Sequence, residues 1–193
     1  MSNHFMLRGY YFFFLENFSF FHLTSIKHEK ANKLEKFPKI CILGEGGVGK
    51  SSLVSLLQGR IDNSTTAIQE PTIGLEIEDS RINGKKCTIW DLGGQKRFKS
   101  MWNDFLKNSG LAVLVCDSTE ENVKKTKAIL DRFANRIGSK VIAIANKQDL
   151  PGALGAEEVQ KKLGGIRTYE MSAIRTELRE RMKQILEYEM DTD

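Results

Sequence analysis

Residues 44 to 51 read Gly-Glu-Gly-Gly-Val-Gly-Lys-Ser, a match to the phosphate-holding pattern G-x-x-x-x-G-K-[ST]. The chemistry needs these residue types. Glycines let successive backbone N–H groups converge on phosphate oxygens at the positive end of a helix. Lys50 then reaches the β- and γ-phosphates, and the Ser51 hydroxyl ligates Mg2+. Gly44, Glu45, Gly46, Gly47, Val48, Gly49, Lys50, Ser51 and Ser52 are therefore the candidate phosphate-binding residues. A glycine-rich turn arising by chance is the plain alternative, and the flanks argue against it. Lys39 to Leu43 is a short apolar run suited to a buried strand, and Ser52 to Leu57 continues as an apolar-rich helix.

Two further motifs carry chemistry. Trp90-Asp91-Leu92-Gly93-Gly94-Gln95 follows the strand-like Cys87-Thr88-Ile89. Asp91, at a strand end, would orient Mg2+ through water, the Gly94 N–H can approach a γ-phosphate, and Gln95 can position the attacking water as the catalytic residue. Upstream, Pro71-Thr72-Ile73-Gly74 offers Thr72, whose hydroxyl reaches the metal and whose backbone reaches the γ-phosphate only in the triphosphate state. Asn146-Lys147-Gln148-Asp149 follows the apolar run Val141 to Ala145. The Asp149 carboxylate can accept from the guanine N1–H and exocyclic amine, donors that adenine does not offer in that arrangement. A buried acceptor left unpaired costs orders of magnitude in selectivity, so the base is guanine and the ligands are GTP and GDP. Met171-Ser172-Ala173 adds two backbone amides, at Ser172 and Ala173, that could face the base carbonyl.

The elements that must position these residues alternate from residue 38 onward. Strand signals fall at 39–43, 75–82, 86–91, 111–117, 140–145 and 167–171, and helical patterns at about 50–58, 97–108, 121–136, 156–163 and 174–189. This predicts an α/β fold with a six-stranded, mostly parallel sheet covered by helices on both faces. Asn83-Gly84 is a two-residue hairpin signal, so the second and third strands should form one antiparallel pair at the edge. Ligands of such sheets bind beyond the carboxyl ends of the strands, where all three motifs fall.

The 193 residues allow one domain, at 38–193, and an extension at 1–37. A net charge of +4 without a dense basic block gives no footprint for nucleic acid, and we expect a monomer. Cys41, Cys87 and Cys116 each sit in an apolar run, as buried thiols of a reducing compartment. The three histidines lie within the first thirty residues, away from any carboxylate constellation, which excludes histidine-based catalysis.

Three motifs in this order resemble the small GTPases of the Ras superfamily, with their P-loop fold, and most closely the Arf and Arf-like branch. The likeness runs from 38 to about 189 and rests on Pro71-Thr72-Ile73-Gly74, the tryptophan before Asp91, two glycines before Gln95, Trp102, and Asn146 to Pro151. The 19 positions from Thr72 to Asp91 resemble the short hairpin of Arf proteins, which slides in register between nucleotide states. The resemblance implies partners of three kinds: effectors, GTPase-activating proteins and exchange factors. It also places Leu75, Trp90 and Phe105 where Arf proteins carry a hydrophobic effector cluster, the alternative being that all three are ordinary core residues. There are departures. Gly46-Gly47-Val48 looks more like Ras, the 22 positions from Lys50 to Thr72 exceed the Arf interval, and no arginine precedes Thr72 to act as an internal finger. Intrinsic hydrolysis should then be slow, on the order of 10⁻⁴ to 10⁻² s⁻¹, and a partner should raise it by up to about 10⁵.

Tyr10 to Leu23 is aromatic-rich but too short, and too interrupted at Glu16 and Asn17, to span a bilayer. Tyr11, Phe14, Leu15, Phe18 and Phe21 follow helical spacing, which fits an interfacial helix on a membrane surface, while Phe12, Phe13 and Phe20 break the pattern and leave an unstructured start as the alternative. Residue 2 is serine, so myristoylation is not expected, nor is a secretory signal. A cytoplasmic, peripherally membrane-associated switch is the expectation, and an adaptor locked on GTP the other.

Overall fold

The computed structural model describes residues 37–60, 71–82, 84–138 and 140–192. The extension at 1–36, with the aromatic stretch 10–23, and most of the lengthened first loop, at 61–70, lie outside the described residues.

Six strands form one sheet: β1 (Lys39–Leu43), β2 (Leu75–Ile82), β3 (Lys85–Leu92), β4 (Leu111–Cys116), β5 (Val141–Ala145) and β6 (Thr168–Glu170). Their spatial order is β2-β3-β1-β4-β5-β6. All neighbours are parallel except β2 and β3, which pair antiparallel from Leu75 opposite Leu92 to Ile82 opposite Lys85. The mostly parallel sheet with one antiparallel edge is thus the one that the sequence predicts. Burial explains the strand compositions. Leu-Ala-Val-Leu-Val-Cys of β4 is buried at every position, as a strand covered on both faces requires. β2 lies at the edge and alternates buried and open positions instead.

One face of the sheet carries α1 (Lys50–Gln58) and α5 (Arg179–Asp191). Leu53, Val54 and Leu57 meet Met182, Ile185 and Leu186 over Ile40, Ile42, Ile89, Val113, Val115 and Ile144 in one apolar core. α2 (Trp102–Phe105), α3 (Glu120–Phe133) and α4 (Ala156–Lys162) complete the helices. Trp102 and Phe133 meet at a tilt of 45° with 5.3 Å between ring centroids, and both are buried. Thr119 caps α3 by accepting the Asn122 N–H at 3.2 Å, and Glu120 and Glu121 follow in its first turn, where negative charge complements the helix dipole.

Three helices differ from expectation. The pattern at 97–108 resolves into a 3-10 segment, Lys96–Met101, running into the single turn of α2, and Asn108 ends it in a left-handed conformation at φ 56°. Phe98, Trp102 and Phe105 keep the apolar spacing, which a 3-10 segment joined to an α turn satisfies as well as a continuous helix does. The pattern at 174–189 begins instead with a 3-10 turn at Thr176–Leu178, so α5 starts five residues late. α3 closes at Phe133 rather than 136. Among the described residues no helix is long and apolar enough to cross a membrane.

Candidate functional site

β1 delivers the phosphate loop, and α1 begins inside it. Gly49 precedes α1 at φ 94°, and a Cβ there would stand 2.3 Å from the Asn146 amide, so only glycine fits. Lys50 is 6 % exposed, and its ammonium donates to the carbonyls of Glu45 at 2.8 Å and Gly44 at 3.2 Å. Burial pulls its pKa down, against the raising pull of Asp91 and Glu45. Gly46, Gly47, Gly49, Lys50, Ser51, Ser52, Pro71, Thr72, Gly94 and Gln95 line one cavity of about 260 Å³. The phosphate loop, Thr72 and the Gly94–Gln95 turn are therefore brought together around one cavity.

Below the loop lies an oxygen cluster. The Ser51 hydroxyl donates to Asp91 Oδ2 at 2.5 Å and lies 2.8 Å from Thr72 Oγ1, which itself donates to Asp91 Oδ2 at 3.3 Å. Asp91 Oδ1 is buried and has no hydrogen-bond partner. Burial pushes the Asp91 carboxyl up to about 6, although the Ser51 hydrogen bond and the Lys50 charge pull it down. A carboxylate desolvated in this way, with one oxygen orphaned beside two hydroxyls, matches the hard, oxygen-only donor set of a magnesium ion. The donors fit that ion. Among the described residues no cluster of three or more His, Cys, Asp or Glu could hold a metal.

Two glycines let three backbones close on one another. A Cβ at Gly94 would fall 2.5 Å from the Glu45 carbonyl, and one at Gly93 2.8 Å from the Thr72 oxygen. The Gly93 N–H donates to the Gly74 carbonyl at 2.8 Å, and the Trp102 indole donates to the Gly93 carbonyl at 3.2 Å. Thr72 and Gln95 are held over the phosphate loop by these contacts.

The base end contains one refinement. Asp149 is half-buried and accepts from the Ser172 hydroxyl, which orients its carboxylate. Lys147 takes a left-handed conformation at φ 62°, the strained corner that turns the motif back toward β6. Asn146, however, is 1 % exposed and wholly engaged within the protein: its amide donates to the Val48 carbonyl at 2.8 Å and its oxygen accepts the Ala173 N–H at 3.0 Å. It braces the base loop against the phosphate loop, and it takes up one of the two amides expected to face a base carbonyl.

The sequence reading missed two members of this brace. The Ser118 hydroxyl donates to the Asn146 carbonyl at 2.6 Å, and the Gln148 amide donates to Ser118 Oγ at 3.0 Å and to the Leu154 carbonyl at 2.9 Å. The position of Ser118 directly after β4, at the same level as the other loops, was the available signal.

Leu75, Trp90 and Phe105, the alternatives being effector cluster or core, are buried here. They are 2, 7 and 6 % exposed, and Trp90 meets Phe105 edge-on at 6.3 Å beneath the Lys39 ammonium, 3.6 Å from its ring centroid. In this conformation they pack as core, because a large ring on a strand buries more apolar area against a neighbour than against water.

Comparison with known proteins agrees with this geometry. The family model described as ADP-ribosylation factor family matches residues 23–188. ADP-ribosylation factor-like protein 2 of Dictyostelium discoideum is 34 % identical over 148 residues, 73 % of this chain and 76 % of the relative. Its namesake in Drosophila melanogaster is 30 % identical over 145 residues, again 73 % of this chain and 76 % of the relative. ADP-ribosylation factor-like protein 1 of Saccharomyces cerevisiae is 33 % identical over 129 residues, 65 % of this chain and 68 % of the relative. With the phosphate loop, the Asp91 motif and the Asn146 motif at the strand ends of one mostly parallel sheet, the chain belongs to the ADP-ribosylation factor family of GTPases.

Proposed function

We propose that this GTPase acts as a switch whose effector-binding loops close in the GTP state. The observation that carries the reading is the convergence of Thr72, Ser51 and Asp91 on one oxygen cluster while Gly94 lies too close to the Glu45 backbone for any Cβ. Loop closure of this kind is what γ-phosphate contacts stabilise, and a ligand shifts such an equilibrium only through contacts that differ between its states.

Gly44 to Ser52 cradle the phosphates with backbone N–H groups, and Lys50 turns its ammonium from the loop carbonyls to the β- and γ-phosphates. Ser51 and Thr72 would hold Mg2+ through their hydroxyl oxygens, with Asp91 beside them orienting the shell. When bound, Mg2+ neutralises charge on the β- and γ-phosphate oxygens. The Gly94 N–H marks the presence of the γ-phosphate, Gln95 orients the attacking water in the same cavity, and Asp149 with Lys147 selects guanine. Hydrolysis is slow until a GTPase-activating protein supplies the missing positive charge. Residues 1–37 form an extension, and 10–23 attach it to a membrane surface in the GTP state.

The test is single-turnover hydrolysis of GTP-loaded protein beside chromatography of the nucleotide that co-purifies. Bound GDP, with a Gln95→Leu variant that retains GTP, supports the switch. Co-purified GTP that never turns over points to a locked adaptor, and unchanged hydrolysis by Gln95→Leu refutes the role of Gln95. For the extension, flotation with liposomes in a GTP-analogue state should vanish when residues 1–36 are removed.

A further inference from the structure

Glu45 occupies a position of the phosphate-loop pattern where no particular side chain is required. A carboxylate there is costly, because negative charge beside the loop repels the phosphates that the loop is built to hold. The structure shows what offsets it. The Lys99 ammonium forms an ion pair with Glu45, and the two side chains are only 13 and 26 % exposed. Most pairs elsewhere on the described surface are far more open, as for Lys107 with Asp104 at 58 and 65 % and Lys125 with Glu121 at 54 and 79 %. Lys99 sits on the 3-10 segment Lys96–Met101, whose N-cap is Gln95, and the Gln95 carbonyl accepts the Phe98 N–H at 2.9 Å. The far end of the segment is anchored by the Trp102 indole on the Gly93 carbonyl. The ion pair therefore ties the middle of the element that carries Gln95 to the residue whose carbonyl Gly94 touches and Lys50 caps. Lys50 feels both members of the pair, which places them at the phosphate end of the site.

We infer that the Glu45–Lys99 ion pair is a positioning device for hydrolysis, holding the Lys96–Met101 segment on the phosphate loop so that Gln95 faces the attacked phosphate. The inference rests on the reading of Gln95 as the water-orienting residue. A partly screened pair, unlike an open one, fixes a geometry, and small displacements of a catalytic group are expensive in rate.

The experiment is single-turnover hydrolysis of the full chain preloaded with GTP, which removes affinity from the readout. It compares wild type, Gln95→Leu, Lys99→Met, Lys99→Arg, Glu45→Gln and the double variant Glu45→Gln/Lys99→Met. Lys99→Met and Glu45→Gln should each lose about tenfold in rate, the double variant should be no slower than either, and Lys99→Arg should keep the wild-type rate within about twofold. Should Lys99→Met not fold, the tenfold loss in Glu45→Gln with retention in Lys99→Arg carries the same conclusion. A wild-type rate in Lys99→Met beside a slow Gln95→Leu overturns the proposal alone. Recovery in the double variant also overturns it, since the pair would then merely neutralise a charge, as would losses that multiply. A wild-type rate in Gln95→Leu removes the reading of Gln95 and this proposal with it.

Discussion

At the scale of single residues, Gly46 separates folding from chemistry. A Cβ built there meets nothing within 4 Å, yet the residue lines the cavity that also holds Gln95 and Thr72. Gly46→Ala should therefore melt with the wild type and bind GDP normally while losing single-turnover hydrolysis, by about tenfold if the methyl displaces the water or Gln95 by a fraction of an ångström. Asp149 is the residue proposed to select the base. Replacing it by Asn exchanges an acceptor for a donor and removes a charge-assisted hydrogen bond worth about 1.5–3 kcal/mol, so GDP affinity should fall by roughly 10- to 150-fold in a displacement titration. The cysteines report on burial. Burial pushes the Cys41 and Cys87 thiols up from 9.0 to about 11, and raises that of Cys116 as well. A native pKa above the unfolded one means that this contribution to stability is intact below about pH 9 and fades as the pH climbs toward 11. Iodoacetamide at pH 8 should thus leave native protein unlabelled and modify all three thiols in denaturant, and any fast native labelling would contradict their burial.

At the scale of elements, the loops that carry the motifs were legible because their chemistry demands particular side chains at particular intervals. The 3-10 segment at Lys96–Met101 was not, because Phe98, Trp102 and Phe105 give the same apolar spacing in either geometry. Nor was the role of Asn146, whose partners Val48 and Ala173 come from distant loops and become neighbours only when β1, β4, β5 and β6 are assembled in one sheet. Cutting that brace should show. Asn146→Ala leaves the Val48 carbonyl and Ala173 amide without their partner, and GDP release should accelerate by roughly 10- to 100-fold, as expected for one or two buried hydrogen bonds lost. Gly94→Ala tests loop closure: with backbone atoms 2.5 Å from the new methyl, the variant should still bind GDP but fail to close around a GTP analogue, read as loss of the analogue-dependent change in tryptophan fluorescence. Trp102 is the natural reporter, because its indole is bonded to Gly93.

At the scale of the whole molecule, the mostly parallel sheet and its antiparallel edge were legible from the alternation of patterns and from Asn83-Gly84. The burial of Leu75, Trp90 and Phe105 was not, since a hydrophobic residue near one edge of a sheet suits a docking surface or a core equally until Lys39 and Phe105 are seen to close over the Trp90 ring. The register of β3 against β1, with Ile40 opposite Ile89 and Cys41 opposite Trp90, has a further consequence. Side chains alternate faces along a strand, so a displacement of the β2–β3 hairpin by one residue would turn Trp90 toward the α1–α5 face and send Ile89 the other way. Only even steps conserve the two cores, which makes the smallest permitted travel two residues, about 7 Å. Were this hairpin to slide, it would move as a ratchet with discrete teeth: a two-residue step would bring Thr88 or Leu92 to the place beside Phe105 that Trp90 now fills.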